Sequence, residues 1–147
     1  MPDVLFIDDQ KFSLKAFEIL LVSQYKCKIH YAVDLTEAFT KLRERDYDFI
    51  VLDLAISLGG ESPDVYTPEY AGLHILDYIE RERDEKIKVR SNVPIIILSV
   101  YVNDYKVVKR LELSKNKGIV GILAKSEDQI EVFQNIVTKI LSKEENI

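Results

Sequence analysis

The sequence predicts an α/β fold in which a parallel sheet of five strands is covered by helices on both faces. Two observations predict it. Five short apolar runs alternate along the chain with five segments of helical character, the order that produces strand–helix–strand crossovers. Most of these runs are continuously apolar rather than apolar at every second residue, which is typical of strands buried on both faces. The crossovers should be right-handed.

The first strand is predicted at residues 4–7, where Val, Leu, Phe and Ile follow one another. A helix at 13–24 follows, because its apolar residues recur at helical spacing. These residues are Leu14, Phe17, Leu20 and Leu21. The second strand is predicted at residues 28–33.

The second helix is predicted at residues 34–45, where Asp34 at the N-cap and Glu37 three residues later form a capping-box pattern. The apolar run 48–54 is the third strand. The stretch 56–70 is rich in Gly, Pro, Ser and acidic residues, so we expect it to be irregular.

The third helix, at residues 71–87, is apolar in its early turns and charged in its last turns, so its end should project into solvent. The fourth strand is predicted at 93–100, with Pro94 at its start, where a missing N–H costs little. A fourth helix is predicted at 103–116 and a fifth strand at 118–125.

The last helix is predicted at residues 126–143 because one apolar stripe runs along it. The stripe consists of Ile130, Phe133, Ile136, Val137, Ile140 and Leu141. Ser126 is the expected N-cap, with Asp128 in the first turn.

Composition limits the possible classes of protein. The 147 residues suit one domain, and the net charge of −5 argues against nucleic-acid binding. Cys27 is the only cysteine, which excludes an internal disulfide and argues against a cysteine-based zinc site. There is no apolar run long enough to cross a bilayer and no secretory signal, so a cytoplasmic setting is expected.

Polar residues stand at the ends of four predicted strands. Asp8 and Asp9 follow the first strand, Asp53 follows the core of the third, Ser99 closes the fourth and Lys125 closes the fifth. In open parallel sheets, ligands bind at the carboxyl ends of the strands. We therefore expect these five side chains to converge at one edge.

Three crowded carboxylates repel one another, and burial makes their charges more costly, so they need a cation. Oxygen ligands in a small open site suit Mg²⁺, which often shares its coordination shell with a phosphate. The lysine and the hydroxyl add donors for phosphate oxygens. The predicted chemistry is phosphoryl transfer to or from a carboxylate.

Four motifs carry a family resemblance. "FIDDQ", "VLDLA", "ILSV" and "ILAK" stand in order at the ends of strands one, three, four and five. Together they resemble the receiver domain of two-component response regulators over roughly residues 3–143. The resemblance implies a flavodoxin-like sheet with strand order 2-1-3-4-5.

The resemblance also implies roles for individual residues. Asp53 would accept the phosphoryl group, while Asp8, Asp9 and the main-chain carbonyl of Ala55 would complete the Mg²⁺ site with it. Ser99 would hydrogen-bond a phosphoryl oxygen, and Lys125 would pair with one.

The implied protein is a signalling module. A histidine kinase or phosphotransfer protein would donate the phosphoryl group, and a downstream protein would respond to it. No output domain follows Lys143, so a stand-alone receiver spanning residues 1–147 is expected. It would not be an enzyme beyond removing its own phosphoryl group.

Three features depart from the family pattern. Ile122 stands where the family usually has a switching aromatic residue, and Tyr101 is a candidate substitute. Ser126 replaces the proline that usually follows the lysine. The connection 56–70 far exceeds the usual length of about 2–6 residues, and Gly72 matches the glycine that normally closes it. This connection is either a tolerated insertion or a lid beside Asp53.

Two other functions stay open. A phosphohydrolase of the haloacid dehalogenase type also uses an aspartate at a strand end, but it needs a second Asp two residues later, where this chain has Ala55. The second alternative is a degenerate receiver that acts as a constitutive interaction module. Ile122 and Ser126 favour this alternative, whereas the complete set of site residues argues against it.

Overall fold

The computed structural model of the chain describes residues 1–10, 15–65, 68–81, 87–100, 109, 111 and 118–145. Five parallel strands form one sheet in the order β2-β1-β3-β4-β5, which confirms the predicted fold class and strand order. The strands are β1 (Asp3–Ile7), β2 (Lys28–Ala32), β3 (Phe49–Leu52), β4 (Ile95–Ser99) and β5 (Ile119–Ala124).

Four α-helices can be given bounds in the described part of the chain. They are α1 (Lys15–Ser23), α2 (Leu35–Glu44), α3 (Ala71–Arg81) and the C-terminal helix α4 (Ile130–Glu145). Short 3₁₀ turns at Pro68–Tyr70 and Glu127–Gln129 precede α3 and α4. The start of the predicted helix 13–24 and most of the predicted helix 103–116 lie outside the described residues. Of the latter, Leu111 is helical and buried in the core.

The start of α2 confirms Asp34 as the N-cap but not the full capping box, in which Glu37 would accept from the Asp34 N–H. The Glu37 N–H donates to Asp34 Oδ1 at 2.7 Å, and Glu37 Oε2 accepts from the Val33 N–H at 2.8 Å. The glutamate therefore reaches one residue beyond the N-cap, and the two carboxylates satisfy two main-chain donors at this helix end.

The start of the last helix differs from the prediction. Ser126 has the extended backbone of an N-cap residue, but its side chain makes no capping hydrogen bond. The hydroxyl bonds the carboxylate of Asp128 instead. The chain passes through a 3₁₀ turn first, and the α-helix begins only at Ile130.

The sheet separates two apolar clusters, as expected for strands buried on both faces. Alternate strand residues, such as Leu5 and Leu52, pack with α2 and α3 on one face. The residues between them, such as Phe6 and Val51, pack with α1 and α4 on the other. No helix in the described ranges has the length and apolar character needed to span a bilayer.

Candidate functional site

The backbone places Asp8 and Asp53 side by side at the carboxyl edge of the sheet. Ile7 and Leu52 are register partners in β1 and β3. The ladder continues one step further, because the Asp53 N–H donates to the Ile7 carbonyl at 2.9 Å. The Asp8 N–H likewise donates to the Ala32 carbonyl of β2 at 3.0 Å. Hydrogen bonds between strands therefore set the main-chain position of both aspartates.

The three predicted aspartates form a single cluster. Asp8, Asp9 and Asp53 each offer a carboxylate oxygen, and these oxygens all lie within 4.8 Å of one another. Asp8 and Asp53 are only 5% and 4% exposed, whereas Asp9 lies at the solvent-exposed rim. The three carboxylates therefore converge at one edge of the sheet, as their positions at the strand ends predicted.

Lys125, just after β5, joins this cluster. Its Nζ lies 2.6 Å from Asp8 Oδ2 and 2.8 Å from Asp53 Oδ2, and all three side chains are buried. With Asp9 included, three carboxylates face one ammonium group, so the fully ionised cluster has two excess negative charges. That excess equals the charge of one divalent cation.

Burial and charge shift two pKa values in the cluster. Burial raises the pKa of Asp8 to about 6, although the contact with Lys125 works in the opposite direction. Burial alone would lower the pKa of Lys125, but its hydrogen bond to Asp53 and its close contact with the Asp8 carboxylate outweigh that effect and raise it. The lysine is therefore an ammonium ion at neutral pH.

The remaining carboxylate contacts leave room for a cation. Asp8 Oδ1 accepts from the Gln10 N–H at 2.7 Å, and Asp53 Oδ1 accepts from the Ala55 N–H at 3.2 Å. Asp8 Oδ2 is buried and has no hydrogen-bond partner among the described residues. Its approach to Lys125 is therefore a contact between charges rather than a directed hydrogen bond. A buried carboxylate oxygen that accepts no hydrogen bond is a suitable ligand for a hard metal ion.

Asp9 is held by a residue that the sequence analysis did not identify. Asp9 Oδ2 accepts two hydrogen bonds from Ser57, at 3.1 Å from its N–H and 3.2 Å from its hydroxyl. Ser57 belongs to the long connection after β3. Its position there, four residues after Asp53, was the only available signal, because no motif marks it.

An open cleft of about 280 Å³ lies over the cluster. It is lined by Asp9, Gln10, Asp53, Ala55, Ile56, Ser57, Pro68, Val100 and Lys125. The long connection therefore supplies part of the cleft wall. The hypothesis that it acts as a lid stays a prediction, since residues 66–67 lie outside the described residues.

Two further residues named in the sequence analysis, Ser99 and Ile122, do not line the cleft. Ser99 is completely buried at the end of β4, where it is the register partner of Ala124, and it is not among the cleft-lining residues. Ile122 is 45% exposed on β5. Tyr101, the candidate substitute for the family's aromatic residue, lies outside the described residues.

Comparison with solved structures shows the same fold in several receivers. The non-phosphorylated HemR receiver domain from Leptospira biflexa matches with a TM-score of 0.66 and 18% identity, over 97% of this chain and 95% of that one. A receiver domain protein from Methanospirillum hungatei matches with a TM-score of 0.68 and 15% identity, over 100% and 99%.

A third match is the receiver domain of a sensor histidine kinase from Pseudomonas aeruginosa, with a magnesium ion coordinated in its active-site cleft. Its TM-score is 0.65 and its identity 19%, over 95% of this chain and 97% of that one. No curated protein matches this chain. The family model for the response regulator receiver domain matches residues 4–137. This chain therefore belongs to the response regulator receiver domain family.

Proposed function

We propose that this chain is a receiver domain that accepts a phosphoryl group on Asp53 in the presence of Mg²⁺ and thereby changes its binding to a partner protein. The observation that carries the proposal is the buried Asp53 carboxylate. It lies 2.8 Å from the Lys125 ammonium group, in a cluster with two excess negative charges. A phosphoryl group adds further negative charge, so the site needs cations around the acceptor.

The carboxylates of Asp8, Asp9 and Asp53 and the main-chain carbonyl of Ala55 would hold the ion. Two observations support this assignment: the three carboxylates lie within 4.8 Å of one another, and Asp8 Oδ2 has no hydrogen-bond partner among the described residues. Bound Mg²⁺ would offset the charge of the carboxylates and of the incoming phosphoryl oxygens. The magnesium in the Pseudomonas aeruginosa receiver supports the choice of metal.

Transfer from a phosphohistidine donor is chemically balanced at this site. An Asp53 carboxylate oxygen attacks phosphorus, an O–P bond forms, and the P–N bond to the donor imidazole breaks. The electron pair of that bond returns to the imidazole nitrogen, which takes up a proton. Lys125 can then exchange its contact with Asp53 for one with a phosphoryl oxygen, because its ammonium group is already adjacent.

The donor would be a histidine kinase or a phosphotransfer protein, and the readout a downstream protein. The acyl phosphate brings about −1.5 to −2 charges and three acceptor oxygens to the carboxyl edge of the sheet. Ser99 at the end of β4 and Lys125 after β5 are the predicted sensors of these oxygens. Their response would alter the surface formed by the strand-four and strand-five ends.

Labelling with a small phosphodonor tests this proposal. Wild-type protein treated with acetyl phosphate and Mg²⁺ should gain one phosphoryl group, which intact mass spectrometry detects and hydroxylamine removes. Asp53→Asn should abolish the label because it removes the nucleophilic carboxylate. Asp64→Asn, at an exposed position in the long connection, is the control and should label normally. Persistent labelling of Asp53→Asn would refute the assignment of the acceptor.

A further inference from the structure

The hydrogen bonds between Ser57 and Asp9 link the long connection to the acidic cluster. Both donors of Ser57, the main-chain N–H at 3.1 Å and the hydroxyl at 3.2 Å, reach the same oxygen, Asp9 Oδ2. Asp9 is the exposed member of the cluster, and a carboxylate at the surface rotates freely unless it is held. Two donors on one oxygen fix the orientation of the whole carboxylate group.

Ser57 is itself held in place by the start of α2. The Leu35 N–H donates to the Ser57 carbonyl at 2.9 Å, and Asp34 and Ser57 form an isolated parallel bridge. Main-chain contacts with the start of a capped helix therefore hold Ser57 in addition to its bonds with Asp9.

The residues on either side of Ser57 add to this anchoring. The Thr36 hydroxyl donates to the Leu58 carbonyl at 3.2 Å and accepts from the Gly60 N–H at 2.9 Å. On the other side, the Ile56 N–H donates to the Pro68 carbonyl at 3.1 Å. The described start of the long connection thus forms a fixed support beside the acidic cluster.

We infer that Ser57 is a positioning residue for Asp9: it holds one carboxylate oxygen so that the other is presented to a divalent ion. The inference rests on the proposed function, since Asp9 is a metal ligand only if the cluster binds Mg²⁺. Residues that hydrogen-bond metal ligands orient them, and their loss typically weakens metal binding by about 10–100-fold. Ser57 gives the long connection a role in metal binding that a tolerated insertion would not have.

Magnesium affinity of matched serine variants tests the inference. Ser57→Ala removes the hydroxyl and keeps the main-chain N–H, so one of the two hydrogen bonds remains. We expect the dissociation constant for Mg²⁺, measured by titration calorimetry without phosphodonor, to rise by about three- to tenfold. Ser57→Thr keeps a hydroxyl and should bind nearly as tightly as wild type. Ser62→Ala, at an exposed serine of the same connection that contacts Asp64, should leave the affinity unchanged.

Each outcome has a defined meaning. If wild type binds Mg²⁺ and Ser57→Ala binds it within twofold of wild type, or more tightly, the role of Ser57 is refuted while the proposed function stands. If wild type binds no Mg²⁺, the proposed function fails first. Weaker binding by Ser57→Ala with recovery in Ser57→Thr supports the inference.

Amide hydrogen exchange on the wild-type protein gives a second test that needs no variant. If Ser57 still holds Asp9 when the ion is bound, the Ser57 N–H stays hydrogen-bonded, and Mg²⁺ should slow its exchange. Faster exchange with Mg²⁺ would show that the ion releases Asp9 from Ser57, and would refute the inference even if a variant failed to fold.

Discussion

Asp8 is a residue of the site that destabilises the folded, metal-free protein. Its carboxylate is buried at the end of β1, and burial raises its pKa to about 6. One of its oxygens has no hydrogen-bond partner in the described part of the chain. Such a group lowers the stability of the metal-free protein and is retained at functional sites for the ligand that it binds.

The sign of the pH effect follows from the direction of the shift. The pKa of Asp8 is higher in the folded protein than its ordinary value of 3.8. A carboxylic acid whose pKa rises on folding binds its proton more tightly in the native state. Its unfavourable contribution is therefore absent below about pH 4, grows as the pH rises towards about 6, and is complete above that.

We predict that Asp8→Asn stabilises the metal-free protein at pH 7, because it removes a buried charge. The free energy of unfolding should increase by about 1–2 kcal/mol once screening by nearby solvent is allowed for. This corresponds to a rise of roughly 3–6 °C in Tm. Chemical denaturation in EDTA measures it. Asp9→Asn is the matched control: it removes a neighbouring charge that is exposed, so it should give no such gain. Equal stability of Asp8→Asn and wild type at pH 7 would contradict the burial argument.

Residues at strand ends could be predicted, and residues placed by a loop could not. Asp53 and Lys125 converge because parallel strands end at one edge, which their positions after apolar runs already indicate. Ser57 reaches Asp9 only through the path of a long connection, for which the sequence offers no periodicity. Ser126 is predicted to cap the last helix with its side chain, but its hydroxyl bonds the Asp128 carboxylate instead.

At the scale of elements, α3 is seated directly on the peptide that follows the acceptor. The Gly72 N–H donates to the Leu54 carbonyl at 2.8 Å. A Cβ atom at Gly72 would lie 2.5 Å from the Asp53 carbonyl oxygen and 2.6 Å from Leu54 Cα, both of which are main-chain atoms. The close approach of helix and strand end therefore requires glycine here.

We predict that Gly72→Ala impairs both stability and phosphorylation, because the added methyl group must displace the Asp53–Leu54 peptide. We expect a loss of about 1–3 kcal/mol in the free energy of unfolding. Denaturation measures this loss, and acetyl phosphate labelling should be slower at saturating Mg²⁺.

Gly121→Ala is the matched control for this prediction. Its added Cβ would also meet an atom at 2.5 Å, but that atom is the end of the flexible Ile136 side chain. It should cost less stability and leave the labelling rate unchanged. Equal effects of the two substitutions would contradict a specific role for Gly72.

The apolar pattern of the sequence predicted where the strands and helices lie, whereas their exact ends depend on local contacts. The strands lie where the continuous apolar runs predicted them, and the predicted N-cap Asp34 marks the start of α2 correctly. α3 is described as far as Arg81, and residues 82–86 of the predicted helix 71–87 lie outside the described residues. Ile87, its last residue, is not helical. The long connection contains a 3₁₀ turn at Pro68–Tyr70 that its composition did not indicate.

At the scale of the whole molecule, the alternation of strands and helices predicted a parallel sheet covered on both faces. The two apolar clusters have that arrangement, one on each face of the sheet. Alternation alone does not determine the strand order, because several orders obey the crossover rules. The order 2-1-3-4-5 came from the four motifs and their resemblance to receivers, and the sheet confirms it.

This strand order also explains why the site forms where it does. β1 and β3 are the neighbours at the centre of the sheet, so their carboxyl ends bring Asp8 and Asp53 together. β5 lies beyond β4, and the Lys125 side chain reaches back to both carboxylates. The topology thus concentrates negative charge at the middle of one edge and brings one cation to it from the side.

Titration of the metal-free chain with Mg²⁺ by calorimetry tests most directly whether this charge is balanced by an ion. Uptake of one ion per chain is predicted, with strong weakening in the Asp8→Asn, Asp9→Asn double variant, because two of the three clustered carboxylates are then neutral. The absence of uptake by the wild-type chain at neutral pH, or equal uptake by the double variant, would contradict a shared metal site at these aspartates.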